Sequence, residues 1–452
     1  MLPTTAMPSL RRLSFRLRTL ACAAALAWSA SAAASDDAPA FPGAQGWAAT
    51  TPGGRDGRIV RVTTLASDGP GSFAEAVAAT GPRTVVFEVG GVIDLDLKAL
   101  RIREPFLTIA GQTAPAPGIT FIRGGIDIAT HDVIVRHIRV RPGDAGLPRR
   151  AGVDFDAIST IGARDVIVDH CSLTWATDEG LSASGPRFGR DGASGIEAFR
   201  QATSRRITFS NNLIAEGLAH ATHAKGEHSK GTLIHDNVGE VLIVGNLYAH
   251  NYERNPLFKG GASGQVINNL IYNPGQRGVH YNLIGAEWQG HAYQIGRLRV
   301  QGNVLRAGPS TEPLGFFMLG GDGDLDLQLV DNLVLDRTGG DGLPPQGRYH
   351  STRAQVRDVE IALAPALVPI AAADVQQAVI AQAGATPWRR DPIDQRILAD
   401  VVEGRGRIID SQDEVGGYPR HPATRRAFVE ADWDLRTMEP RAGYAALAEG
   451  TP

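Results

Sequence analysis

The stretch TFSNNLI at residues 208–214 sets a pattern that recurs along the chain: a short apolar run, a turn with asparagine, and a second apolar run. The repeats are IVGNLY at 243–248, VINNLI at 266–271, VQGNVL at 300–305 and LVDNLV at 329–334. Their aligned asparagines stand 34, 23, 34 and 29 residues apart, the length of one solenoid coil with variable loops. The sequence therefore predicts an all-β protein, a single-stranded right-handed parallel β-helix.

The aligned asparagines are predicted to be structural. Asparagine tolerates the left-handed backbone of such a turn, and its amide can hydrogen-bond with the same turn one coil away. The residues concerned are Asn212, Asn246, Asn269, Asn303 and Asn332. His170-Cys171 lies in the same slot one coil earlier, so Cys171 is expected to be a buried member of the stack.

Three regions are predicted along the chain. Residues 1–34 hold four arginines, no acid and an apolar run at 20–28, which is typical of a secretory signal peptide and too short for a membrane anchor. Residues 35–336 are predicted to be the β-helix catalytic domain, and its open end is closed by a short helix after the capping box Ser72 to Glu75. Residues 337–452 are predicted to be an extension packed on the β-helix, with helices at 373–383 and 393–402.

Composition excludes a general nucleic-acid-binding function and an intrachain disulfide. Without residues 1–34 the formal charge is −7, so no general basic field is available for nucleic acid. Cys171 is then the one remaining cysteine, which rules out an intrachain disulfide. We expect a secreted monomer, extracellular or periplasmic, with no membrane attachment after cleavage of the signal.

Acidic residues cluster in two places about one coil apart. Asp154-Phe155-Asp156 puts two carboxylates on one face if the segment is a strand. Asp178-Glu179 follows one coil later. Oxygen ligands from adjacent coils suit Ca²⁺, although solvated outward acids would give the same pattern.

A basic cluster follows the acids. His220, His223, Lys225, His228 and Lys230 lie within eleven residues, and Arg254 and Lys259 follow. These side chains are predicted to cradle the carboxylates of an acidic sugar polymer, with Lys230, His220 and His223 among the binding groups. Zinc is a weaker interpretation of the histidines, since neither CxxC nor HExxH spacing is present.

With these motifs in order, residues 40–335 resemble family 1 of the polysaccharide lyases, the pectate lyases. Asp154 to His170 resembles the family's D-x-D followed by its W-I-D-H signature, here IVDH at 167–170. The block YERNPLFKGG at 252–261 resembles the family's R-x-P-x-x-R-x-G. The resemblance implies calcium-assisted β-elimination on polygalacturonate or pectin.

The resemblance also implies roles for individual residues. Asp154 and Asp156 correspond to calcium ligands, and Asp178 or Glu179 falls where a third carboxylate is expected. Arg254 corresponds to the base that removes the C5 proton, and Lys259 to an arginine that binds the substrate carboxylate, with Lys225 or Lys230 adding positive charge. The chain departs from the family at Ile167, Lys259 and Ser182, which stand for tryptophan, arginine and an acid.

Other functions remain open at this point. A guanidinium normally stays protonated, so chemistry alone favours Lys225 or His223 as the base unless burial or neighbouring cations lower the pKa of Arg254. A pectin-degrading hydrolase would use a carboxylate pair such as Asp178 and Glu179, but adjacent strand residues point to opposite faces. A non-catalytic carbohydrate-binding β-helix would need neither the carboxylates for calcium nor the combination of Arg254 and Lys259.

Overall fold

Successive short apolar runs pair in parallel with the run one coil later, and the coils stack into three long sheets. The computed structural model describes residues 38–189, 192–341, 346–350 and 353–449; the predicted signal peptide, residues 1–34, lies outside these ranges. By internal contacts the chain divides into Met1–Asp36 and Asp37–Pro452, and every described residue belongs to the second unit. The predicted right-handed parallel β-helix is confirmed.

Within the described ranges, sheets 1, 2 and 3 each receive one strand from a typical coil. Sheet 1 consists of Arg58–Val62, Arg83–Phe87, Leu107–Ala110, His131–Arg136, Arg164–Asp169, Arg205–Ser210, Gly239–Val244, Ser263–Ile267, Gly296–Gln301, Leu325–Val330 and Val356–Asp358. Sheet 2 consists of Leu100–Ile102, Ile126–Ile128, Ile158–Ile161, Glu179–Ser184, Lys230–Ile234, Leu257–Lys259, Val279–Leu283, Phe317–Gly321 and Gln346–Arg348. Sheet 3 consists of Val89–Asp94, Ile119–Ile122, Arg139–Arg141, Ser172–Thr174, Leu213–Ala215, Leu247–Ala249, Leu270–Tyr272, Val304–Arg306, Leu333–Leu335 and the antiparallel Thr424–Arg425.

Among the residues that the structure describes, helices are few and short. They are α1 (Phe73–Ala78), α2 (Ile196–Ala202), α3 (Ala372–Gln382), α4 (Pro392–Glu403) and α5 (Tyr444–Glu449), with single 3-10 turns at Gly111–Thr113, Gly285–Trp288, Gln412–Val415 and Glu430–Asp432. A two-stranded hairpin pairs Trp433–Asp434 with Glu439–Pro440. No helix among the described residues has both the length and the apolar character needed to cross a bilayer.

The asparagine ladder predicted from the spacing is confirmed. Each aligned amide donates to the Oδ1 of the next at 2.9 to 3.0 Å, from Asn212 through to Asn332. At the other end, the backbone N–H of Cys171 donates to Asn212 Oδ1 at 2.9 Å, and the thiol is buried. The ladder therefore satisfies polar groups inside the solenoid and sets the register of the coils.

Replacing Asn246 with alanine is expected to lower the free energy of unfolding by about 3 kcal/mol, because the buried amides on both sides lose their partner. Asn246 accepts from the backbone and side chain of Asn212 and donates to Asn269 and Phe209. Denaturant unfolding checks this, with Asn332→Ala at the partly exposed end of the ladder as the matched control. Equal losses for the two variants would contradict a buried ladder.

Described helices on either side of the coils pack onto the β-helix. At α1, Ser72 Oγ accepts from the N–H of Glu75 at 3.2 Å, and Phe73 stacks on Phe87 in the main core, as expected of a closing helix. Helices α3 and α4 lie against the outer face of sheet 3 and cover an apolar cluster that includes Leu213 and Leu247. The sheets continue to Asp358, beyond the predicted boundary at residue 336. The predicted boundary fell short because the last coils lack the asparagine turn that marked the earlier ones.

Candidate active site

A polar cleft of about 530 Å³ lies over the outer face of sheet 2. Its lining carries five carboxylates, five lysines or arginines, and four histidines: Asp156, Asp178, Glu179, Glu253, Glu287, Arg187, Lys225, Arg254, Lys259, Arg277, His228, His235, His280 and His350. A larger cavity of about 620 Å³ lies between α4 and residues 413–421, and its lining has far fewer charged groups. The charged cleft over sheet 2 is therefore the candidate active site.

Three carboxylates converge in the cleft. Oxygen atoms of Asp156, Asp178 and Glu179 all lie within 4.8 Å of one another. Asp178 precedes the strand that begins at Glu179, so strand alternation does not separate the two side chains, contrary to the expectation that they face opposite ways. This arrangement brings together three of the four predicted calcium ligands.

Asp154 does not join this group. The segment 154–156 is irregular chain before the strand Ile158–Ile161, so the condition under which the two aspartates would share a face, a strand at these residues, is not met. The backbone of Phe155 is bound instead by Thr177, whose Oγ1 accepts its N–H at 2.9 Å. Asp154 is exposed and lies outside the group that Asp156 forms with its neighbours.

Within this cluster of three carboxylates, the pKa values of Asp156 and Asp178 are shifted in opposite directions. Desolvation and the charge of Asp178 raise the pKa of Asp156 well above its usual range. Desolvation also acts on Asp178, but the hydrogen bond from His228 at 2.5 Å and the charge of that imidazole lower its pKa overall. Crowded oxygens of this kind suit a hard cation, because opposite ligands around Ca²⁺ stand about 4.8 Å apart at its usual bond length. The residues present therefore fit calcium.

Arg254 is the basic group closest to these acids. Its guanidinium forms an ion pair with Glu179, and its side chain is 19% exposed. Burial lowers the pKa of Arg254, against the charges of Asp178 and Asp156, which raise it. Burial was one of the two expected reasons for a lowered pKa of Arg254, and it is present. The other expected reason, repulsion from neighbouring cations, is not among the main causes of the shift.

Lys225 and Lys259 line the cleft beside Arg254, but their surroundings differ. Lys259 pairs with Glu287 and lies 3.5 Å from Asp236. Lys225 is exposed, and no carboxylate of the described residues lies within ion-pair distance of it. Lys225 is thus free to meet an incoming anion.

The other predicted binding groups are placed differently. Lys230 is buried in ion pairs with Glu253 at 2.8 Å and Glu227 at 3.3 Å. His220 contacts Asp410 of the C-terminal extension at 2.9 Å. His223 stacks on His228 with ring centroids 3.7 Å apart. Among the described residues, none of these three predicted groups is in the cleft lining.

Comparisons with known proteins show which proteins the chain resembles. No family model matches the chain. A probable pectate lyase C of Aspergillus terreus is 37% identical over 278 residues, which is 61% of this chain and 56% of the relative. The corresponding protein of Neosartorya fischeri is 36% identical over the same shares. The chain is similar to pectate lyases. The resemblance drawn from the motifs is confirmed, and the chain spans just over half the length of these curated relatives.

The fold comparison adds an independent likeness. The crystal structure of the major allergen from cedar pollen superposes with a TM-score of 0.52 and 15% identity, covering 75% of this chain and 92% of that one. At this identity the likeness concerns the fold alone. It supports the parallel β-helix and says nothing about residues in the cleft.

Several groups of the cleft escaped the sequence analysis. Arg277 pairs with Glu253 and lies 4.2 Å from the ring centroid of Tyr349, while Arg187 pairs with Glu287. The coil length could have found Arg277, since it follows Arg254 by 23 residues, the same step as from Asn246 to Asn269. No comparable signal points to Arg187, which lies in a loop outside the repeat.

Proposed function

We propose that this chain is a secreted pectate lyase that cleaves polygalacturonate by calcium-assisted β-elimination and leaves unsaturated uronate ends. The observation that carries the proposal is a mostly buried Arg254 beside three converging carboxylates, on the sheet face that also bears Lys259. The similarity to curated pectate lyases supports it. The substrate partner is an acidic polysaccharide.

The reaction breaks the C5–H and C4–O4 bonds of a uronate and forms a C4–C5 double bond. In its neutral form Arg254 accepts the C5 proton, and burial favours that form because a charged guanidinium loses its hydration. The leaving O4 oxygen takes a proton from solvent. Arg254 then returns its proton to water for the next turnover.

Stabilisation of the substrate carboxylate is the second requirement, since negative charge builds there as the proton leaves. Lys225 is free to pair with that carboxylate, and Lys259 adds a second positive charge. Asp156, Asp178 and Glu179 would hold Ca²⁺, which when bound supplies Lewis-acid stabilisation of the same carboxylate. His228 keeps Asp178 ionised and oriented through its hydrogen bond.

The setting of the enzyme is part of the same proposal. We expect export, removal of residues 1–34 and action as a monomer outside the cytoplasm, with the β-helix as the catalytic domain and the residues after Asp358 as an extension. The described helices α3 and α4 cover the outer face of sheet 3 and leave the cleft over sheet 2 open.

Incubation with polygalacturonate and calcium is expected to produce ultraviolet-absorbing unsaturated ends. A chelator should abolish the signal and added calcium should restore it, because the carboxylate group needs a cation. Absorbance is followed together with reducing ends. New reducing ends without absorbance would instead support a hydrolase, and binding without either product would leave a carbohydrate-binding β-helix.

A further inference from the structure

Two cations at one end of the cleft share the same two carboxylates. Arg187 lies 3.1 Å from Asp236 and 3.0 Å from Glu287. Lys259 lies 3.5 Å from Asp236 and also pairs with Glu287. We call these four side chains the Lys259 subsite. It carries two positive and two negative charges, so its net charge is zero before any substrate binds.

The two carboxylates of the Lys259 subsite differ in how firmly they are held. Asp236 is fully buried, accepts a hydrogen bond from Trp288 Nε1 at 2.9 Å and lies 3.0 Å from His235 Nδ1. Glu287 is 36% exposed and stands on the 3-10 turn at the cleft rim. Asp236 is therefore a permanent partner of both cations, whereas Glu287 can exchange with solvent and with an incoming anion.

The turn that carries Glu287 does not depend on its carboxylate. Trp288 is buried and its Nε1 donates a hydrogen bond to Asp236. Arg187 Nη1 donates to the backbone oxygen of Glu287 at 2.9 Å. These contacts remain if the Glu287 side chain rotates into solvent. A substrate carboxylate presents the same two oxygens that Glu287 now presents to Arg187 and Lys259.

We propose that Glu287 is a specificity-determining residue that stands in for a substrate carboxylate at Lys259 and Arg187 and must be displaced before a uronate binds there. The inference rests on the proposed function, which makes Lys259 a carboxylate-binding group. A neutral, methyl-esterified sugar leaves the compensated subsite intact. A free uronate must break the contacts of Glu287 before it binds, so this residue weakens binding of unesterified polymer relative to esterified polymer.

The test compares Glu287→Gln with Glu430→Gln, which removes an equivalent ion-paired carboxylate from the surface, 2.8 Å from Arg61. Dissociation constants for a galacturonate oligomer and for its methyl ester are measured by calorimetry in an Arg254→Ala background, so that no turnover is needed. Glu287→Gln is expected to tighten binding of the free acid by about fivefold, the usual scale of a partly exposed ion pair, and to leave the ester within about twofold. Glu430→Gln should change neither.

The same substitution in the otherwise natural chain should lower KM for polygalacturonate more than it changes kcat. Unchanged or weaker binding of the free acid by Glu287→Gln would overturn the inference, as would equal tightening for the ester. If the natural chain cleaves no uronan but Glu287→Gln binds the free acid more tightly, the proposed function fails and the role of Glu287 stands. Cleavage by the natural chain without tightening in the variant supports the proposed function and overturns the role of Glu287.

Discussion

Arg254→Ala is expected to lower kcat on polygalacturonate by about 10²- to 10⁴-fold, the range over which a positioned base contributes. Arg254 lines the cleft and pairs with Glu179, one of the three converging acids that are proposed to hold calcium against the substrate carboxylate. Substrate binding should change much less, because Lys225 and Lys259 remain. Initial rates of ultraviolet absorbance over a range of substrate concentrations separate the two parameters.

Lys225→Ala is the matched comparison, since Lys225 is a cation of the same cleft. Its loss should raise KM, with a smaller effect on kcat, because Lys225 is proposed to bind the substrate carboxylate and not to accept the C5 proton. A loss of kcat in Lys225→Ala equal to that in Arg254→Ala would instead make Lys225 the base. Recovery of soluble, folded protein is checked for both variants by thermal unfolding.

The pH profile separates Arg254 from the remaining alternative, His223. Burial lowers the pKa of His223 below its usual 6.5, so a reaction that used this base would reach its full rate by neutral pH and stay level above it. Burial also lowers the pKa of Arg254, but from the far higher value of a free guanidinium. A reaction that uses Arg254 should therefore keep rising with pH into the alkaline range, as the neutral fraction of the guanidine grows.

The repeating part of the fold was accessible from sequence because one residue type marks one turn. Asn246 and its equivalents report the coil length directly, and the hydrogen bonds between them confirm the register. The end of the β-helix was misplaced because the coils near Asp358 have no such marker. Regular structure is thus predictable wherever a local side chain carries the periodic signal.

The cleft was predictable only where its residues follow the same register. Asp156, Glu179 and Arg254 lie on or beside strands of sheet 2 and line the cleft, whereas Asp154 lies on irregular chain and is not in the cleft lining. Arg187 and Glu287 come from loops whose paths depend on long-range packing, such as Trp288 against Asp236. Spacing along the chain carries no information about such contacts.

Asp156→Asn is expected to raise the calcium concentration for half-maximal activity by about 10- to 100-fold, since it removes one charged ligand from a group of three. The amide keeps an oxygen that can accept from the N–H of Glu179, which Asp156 binds at 3.0 Å, so the local backbone is preserved. Asp154→Asn makes the same chemical change two residues away, on an exposed side chain outside the group. It should shift the calcium requirement by less than about twofold.

The free energy of unfolding without calcium shows whether Asp156 acts as a calcium ligand or as a structural residue. The folded-state pKa of Asp156 is raised by desolvation and by Asp178, so its ionisation opposes folding and the resulting loss of stability grows as pH rises from the unfolded pKa through the folded one. Asp156→Asn removes that charge, and in chelator at neutral pH its free energy of unfolding should equal or exceed that of the natural chain. A variant that loses stability in chelator as well as calcium response would show that Asp156 supports the fold and that its effect on calcium is indirect. A shift in Asp154→Asn as large as that in Asp156→Asn would return Asp154 to the calcium site.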